Sequence, residues 1–95
     1  QPHLFSRTRD FAPEFSESLS LADEVILLDI YPAREQPIEG ISSTMLLENV
    51  TAERKMVCEK EQLIEQIKAW QPEVLLTIGA GDIDKFVEPL KAELL

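Results

Sequence analysis

The run Glu24-Val25-Ile26-Leu27-Leu28-Asp29-Ile30 decides the fold of this chain of 95 residues. Large aliphatic residues follow one another without the polar alternation of a strand that has one face in water. A continuous apolar run of this length is typical of a strand covered on both faces. Residues 74 to 78, Val-Leu-Leu-Thr-Ile, are again apolar and strand-like, and residues 55 to 58 are a third, short strand candidate.

Helical patterns separate these strands. We predict helices over residues 10 to 22, 43 to 50 and 60 to 70, and a last helix from Asp82 onward. Asp10 and Asp82 are the predicted N-caps of the first and last helices. The third helix is amphipathic, with Leu63, Ile64, Ile67 and Trp70 on one face.

The alternation of helices with doubly buried strands predicts an α/β domain with a mostly parallel sheet and helices on both faces. Such a sheet needs a strand before the first helix, and only Gln1 to His3 remain for it. We therefore expect the first strand to be truncated, with most of it upstream.

Composition limits the classes of function. The formal net charge is −9, with 18 acidic and 9 basic side chains, which disfavours nucleic acid and membrane surfaces as partners. One cysteine, Cys58, allows no internal disulfide, and it is best interpreted as a small buried hydrophobe. No apolar segment resembles a signal peptide or a membrane span, so we expect a cytoplasmic location.

The densest polar stretch is His3-Leu4-Phe5-Ser6-Arg7-Thr8-Arg9-Asp10, between a strand end and a helix start. Ligands of open parallel sheets bind at the carboxyl ends of strands, and helix N-termini favour anions. His3, Arg7 and Arg9 therefore predict a local anion site. A solvated loop with arginines paired to surface acids is the alternative at this point.

Two further stretches follow strands. The loop from Tyr31 to Gly40 lies at the same predicted sheet edge and is either functional or a simple connection. In Gly79-Ala80-Gly81-Asp82-Ile83-Asp84, two glycines could approach a phosphate. However, the acids would repel a pyrophosphate, and Asp82 is more simply a helix cap.

Other kinds of site find little support. One histidine and one cysteine make no zinc motif, and neither a phosphate-binding loop nor a nucleophile elbow occurs. Residues 25 to 32 resemble the phosphoacceptor strand of a receiver domain, with Asp29 as acceptor. That family also requires an acidic pair where this chain has His3 and arginines, so the resemblance fails.

Taken together, several motifs resemble the Mur ligase family, and within it the ligases that join L-alanine to UDP-N-acetylmuramate. The motifs are Gln1-Pro2-His3, Ser6-Arg7-Thr8-Arg9-Asp10, Tyr31-Pro32-Ala33, Glu35, Pro37-Ile38, Gly40 and Gly79-Ala80-Gly81, in the family's order and spacing. The resemblance implies that residues 1 to 95 are the C-terminal, Rossmann-like three-layer domain that presents the amino acid. The UDP-sugar domain and the central ATPase domain would lie outside this chain.

The family's chemistry is ATP-dependent ligation in peptidoglycan biosynthesis. The resemblance implies that ATP and Mg bind mainly to the central domain, with no cofactor or metal on this chain. It places His3 and Arg7 around L-alanine and the reacting carboxylate, Arg9 in a supporting role, and Tyr31 and Glu35 in a loop near the site. No catalytic residue is expected here, so the chain alone should be inactive.

Two departures from the family pattern are present. Many relatives have arginine where this chain has Leu4, and some have glycine at the position of Arg34. The alternative function is a freestanding α/β module that binds a small anion or a nucleotide.

Overall fold

Four α-helices, one 3₁₀ helix and two strands form the computed structural model, which describes residues 1–95. In chain order they are α1 (Phe5–Leu19), β1 (Glu24–Leu27), α2 (Ser43–Leu47), β2 (Arg54–Val57), α3 (Lys60–Trp70), the 3₁₀ helix Asp82–Phe86 and α4 (Val87–Leu94). The two strands pair in parallel, with Glu24 opposite Arg54 and Leu27 opposite Val57. The predicted α/β class and parallel pairing are confirmed.

The core consists of two clusters that meet at β1, because successive side chains of a strand point to opposite faces. Val25 and Leu27 pack with Leu46 and Val50. The other cluster contains Leu28, Cys58, Leu63, Ile67, Ile83 and Leu90. Both β1 and the residue that follows it are therefore buried on two sides, as the uninterrupted apolar run predicts.

The first helix begins earlier than predicted. It starts at Phe5, so the arginine stretch lies in its first turns, and Asp10 is an interior residue rather than its N-cap. Leu4, at the N-cap position, has a positive φ of 68° and contributes no side-chain hydrogen bond. A carboxylate from another segment performs the capping role, as described below, and no local pattern could have indicated it.

The predicted strand over residues 74 to 78 is wrong. No strand forms there, and Val74, Leu76 and Ile78 are 81%, 76% and 68% exposed. A strand exists only where a neighbouring backbone accepts and donates its hydrogen bonds, and apart from one isolated bridge between His3 and Tyr31 the pairing in this structure is confined to β1 and β2. These three residues form an exposed apolar row.

The third helix was predicted with its observed bounds. Leu63 and Ile67 of α3 are buried in the core. The helix ends at Trp70, and its C-cap Gln71, just before Pro72, has a left-handed φ of 50°. The helix predicted for residues 43 to 50 is shorter and ends at Leu47. Ser42 caps it by accepting a hydrogen bond from the Met45 amide at 3.1 Å.

Candidate functional site

The opening segment lies alongside the residues that follow β1. The Leu4 amide donates to the Tyr31 carbonyl and the Tyr31 amide to the Pro2 carbonyl, both at 2.8 Å. His3 and Tyr31 thereby form a parallel bridge. The sequence predicted that these two stretches meet at one sheet edge, and the structure brings them together.

The side chains of this bridge also make contact. The His3 imidazole and the Tyr31 ring are nearly parallel, at an interplanar angle of 12° with centroids 5.6 Å apart. This separation is typical of offset aromatic stacking. His3 is half-buried, so its position is defined by both main-chain and side-chain contacts.

Glu35 occupies the start of α1. Its carboxylate accepts a hydrogen bond from the Ser6 amide at 3.1 Å and a short one from the Ser6 hydroxyl. These donors, with a smaller contribution from the Arg9 charge, hold the pKa of Glu35 below its usual range. An amide at the observed start of α1 is thus already bound by an anion of the chain itself.

The two arginines differ in their surroundings. Arg9 is half-exposed and pairs with the neighbouring Asp10, with 2.8 Å between Nε and Oδ1. This contact raises the pKa of Arg9 and lowers that of Asp10. Arg7 is exposed and takes part in none of the four ion pairs of the chain. Of the cations predicted for the site, Arg7 is the one available to an external carboxylate or phosphate.

The glycine stretch contacts the opening segment instead of forming an open loop. The Gln1 side chain donates to Asp82 Oδ1 at 2.7 Å and accepts from the Ile83 amide at 3.1 Å. Lys60 Nζ lies 2.6 Å from the other Asp82 oxygen. These donors lower the pKa of Asp82. Gln1, not Asp82, therefore binds the free amide at the start of the 3₁₀ helix, which corrects the predicted cap.

A cleft of about 350 Å³ opens where β1 and β2 end. It is lined by Gln1, Asp29, Ile30, Tyr31, Pro32, Glu59, Lys60 and Glu61. Sequence reasoning identified only Tyr31 among these as a residue near the site. Glu59, Lys60 and Glu61 lie one residue beyond the end of β2, so the strand-end argument applied to the opening stretch would also have found them.

Three remaining observations concern metal binding, the cysteine and membrane insertion. No group of three or more His, Cys, Asp or Glu side chains is placed to hold a metal ion. Burial raises the pKa of the Cys58 thiol, in agreement with its place in the core. None of the helices combines the length and hydropathy that a bilayer span requires.

No family model matches the chain. It is 57% identical over 91 residues, 96% of its length, to the UDP-N-acetylmuramate–L-alanine ligase of Parabacteroides distasonis. It is 57% identical over 95 residues, 100% of its length, to that of Christiangramia forsetii. The ligase of Cytophaga hutchinsonii is 54% identical over 91 residues.

These relatives are much longer proteins. The chain spans 20% or 21% of the length of each of the three, and the matched part is their C-terminal region. The match to the ligase of Christiangramia forsetii extends over the whole chain, so it includes the opening stretch, the loop from Tyr31 to Gly40 and the glycine stretch. The chain belongs to the family of UDP-N-acetylmuramate–L-alanine ligases, in which it corresponds to the C-terminal region.

Proposed function

We propose that this chain is the C-terminal domain of an ATP-dependent ligase that joins L-alanine to UDP-N-acetylmuramate in cytoplasmic peptidoglycan biosynthesis. The domain helps to position L-alanine and closes the active site against the central ATPase domain of the same protein. ATP and Mg bind mainly to that central domain. The chain alone supplies neither the phosphoryl-transfer site nor the UDP-sugar site and is inactive.

The observation that carries this proposal is that Arg7 is exposed and has no ion-pair partner. Its guanidinium is exposed and unpaired, although the acidic side chains outnumber the basic ones by 18 to 9. It projects from the first turns of α1, a helix start that Glu35 fixes through two hydrogen bonds. A planar guanidinium binds a carboxylate through two charge-assisted hydrogen bonds, which suits the carboxylate of an amino acid. Holding the amino acid beside the reacting group would make the attack effectively intramolecular.

The contacts of Glu35 also bear on the alternative function. A freestanding anion-binding module would use the free amides at the start of α1. The Ser6 amide and hydroxyl already bind Glu35, so a second anion at the same place would face an unfavourable negative charge. This arrangement favours recognition by the Arg7 side chain over recognition by the helix terminus.

The same proposal includes a further strand, upstream of Gln1, that completes the sheet in the parent protein. In the parallel bridge His3 lies opposite Tyr31. If this register is extended toward the amino terminus of both segments, residues that precede Gln1 in the parent protein would lie opposite β1, along the edge of β1 that does not pair with β2. On the other side of the opening segment, the Gln1 main-chain nitrogen donates to the Ile78 carbonyl at 2.9 Å. A strand preceding Gln1 in the parent protein would therefore lie between β1 and residues 74 to 78. It would complete a Rossmann-like three-layer domain with a parallel sheet.

Steady-state kinetics of the full-length ligase with Arg7→Ala test the proposed role. We expect the KM for L-alanine to rise by at least about tenfold, since a hydrogen bond to a charged group contributes roughly 1.5–3 kcal/mol. The KM for ATP should stay within about twofold. Arg54→Ala is the matched control, because Arg54 is an exposed arginine that pairs with Glu24 at the start of the two strands, opposite the cleft.

Two results would contradict the proposal. Unchanged L-alanine kinetics in Arg7→Ala would remove Arg7 from substrate binding. Absence of L-alanine ligation by the wild-type parent protein would refute the function itself.

A further inference from the structure

Tyr31 belongs to one of the three stretches that the sequence singled out and contacts the other two. Its main chain bonds the opening segment, its ring stacks on the His3 imidazole, and the same ring lies against Gly81. Tyr31 also lines the cleft at the ends of the strands. The His3 imidazole, the glycine stretch and the cleft thus share one aromatic side chain.

Gly81 is required at its position because of this ring. A Cβ atom built on Gly81 would lie 2.7 Å from Cγ and 2.9 Å from Cβ of Tyr31. It would also lie 2.5 Å from Oε1 of Gln1, the atom that binds the Ile83 amide. The absence of a side chain at Gly81 therefore allows Tyr31 to occupy the place from which it stacks on His3.

The main chain and the side chain of Tyr31 contact the opening segment independently of each other. The two hydrogen bonds to Pro2 and Leu4 come from the backbone and persist with any side chain at position 31 other than proline. The stacking on His3 needs an aromatic ring. The contact with His3 is made by the face of the ring, and the phenol oxygen takes no part in it, so phenylalanine offers the same contact face.

We propose that Tyr31 is a positioning residue that holds the His3 imidazole toward the incoming L-alanine, and that Gly81 holds Tyr31 in place. This inference rests on the proposed function, in which His3 lies beside the substrate. Tyr31 acts through His3 and does not itself take part in the chemistry. Losing the ring leaves the backbone of His3 where it is and frees its imidazole to rotate.

The test uses the full-length ligase with Tyr31→Leu, and Tyr31→Phe as its matched control. We expect Tyr31→Phe to retain wild-type kinetics within about twofold. Tyr31→Leu should raise the KM for L-alanine by roughly three- to tenfold, the range that corresponds to losing one aromatic pair. The KM for ATP should not change, and thermal unfolding of both variants identifies any loss of folded protein.

A double-mutant cycle with His3→Ala decides whether Tyr31 acts through His3. If it does, adding Tyr31→Leu to His3→Ala leaves the kinetics of the His3 variant unchanged within about twofold. Independent, multiplicative effects of the two substitutions would overturn the inference, as would equal kinetics of the Tyr31→Leu and Tyr31→Phe variants.

Gly81→Ala should reproduce the effect of Tyr31→Leu on the KM for L-alanine. Normal L-alanine kinetics of a folded Gly81→Ala ligase would also overturn the inference. The wild-type ligase separates this inference from the proposed function, because that function fails only if the unmodified enzyme does not ligate L-alanine.

Discussion

The Glu35 carboxylate caps α1 from a loop 29 residues further along the chain, through the amide and hydroxyl of Ser6. These hydrogen bonds favour the ionised form and lower its pKa. A group whose pKa is lower in the folded state stabilises it above the unfolded pKa, about 4.3 for glutamate. That stabilisation is lost as the pH falls through the lowered value. We therefore expect Glu35→Gln to reduce the urea midpoint at pH 7, and this reduction to shrink as the pH is lowered from 7 to below the unfolded pKa.

The matched control for this residue is Glu39→Gln. Glu39 lies in the same loop, is exposed and makes no hydrogen bond, and its substitution changes the net charge by the same amount. Urea unfolding of both variants across this pH range gives the comparison. Equal midpoints of the two variants at pH 7 would show that the Glu35 carboxylate does not stabilise α1.

At the scale of elements, helix bounds that depend on neighbouring residues were predictable from the sequence, and helix starts that depend on distant residues were not. The bounds of α3, Lys60–Trp70, follow from its own apolar face and from Pro72. The start of α1 depends on Glu35, and the start of the 3₁₀ helix on Gln1, which lies 82 positions from the Ile83 amide that it binds. The pairing of the opening segment with Tyr31 was predictable, because strand ends of a parallel sheet share an edge. The stacking of His3 on Tyr31 has no sequence pattern.

The doubly covered strand makes a prediction at the same scale. Leu27 and Leu28 are adjacent, 4% and 1% exposed, and belong to different core clusters. Each substitution to alanine should lower the free energy of unfolding by about 2–5 kcal/mol, because each leaves a cavity in its own cluster. Leu21→Ala, at a residue 89% exposed, should cost less than about 0.5 kcal/mol. Chemical denaturation measures all three, and a negligible effect at Leu27 or Leu28 would mean that one face of β1 is not packed.

For the whole molecule, the exposed apolar row is the feature most at odds with a net charge of −9. Exposed apolar residues that lie close together favour association with other chains. Leu76→Lys should therefore reduce self-association of the chain, measured by sedimentation velocity, without lowering its stability. Leu76 is 76% exposed, so the new charge remains in water.

In the parent ligase the same substitution should lower stability if a strand preceding Gln1 completes the sheet. Leu76 would then lie within the sheet, and a lysine there would have to bury its charge or displace the neighbouring strand. We expect Leu76→Lys to lower the thermal stability of the full-length protein, whereas Leu21→Lys, at a residue 89% exposed and outside the row, should not. Equal tolerance of both lysines in the parent would show that the row is exposed there too. The backbone pairing seen at the His3–Tyr31 bridge would then not continue along β1 in the parent protein. The proposed strand between β1 and residues 74 to 78 would be wrong.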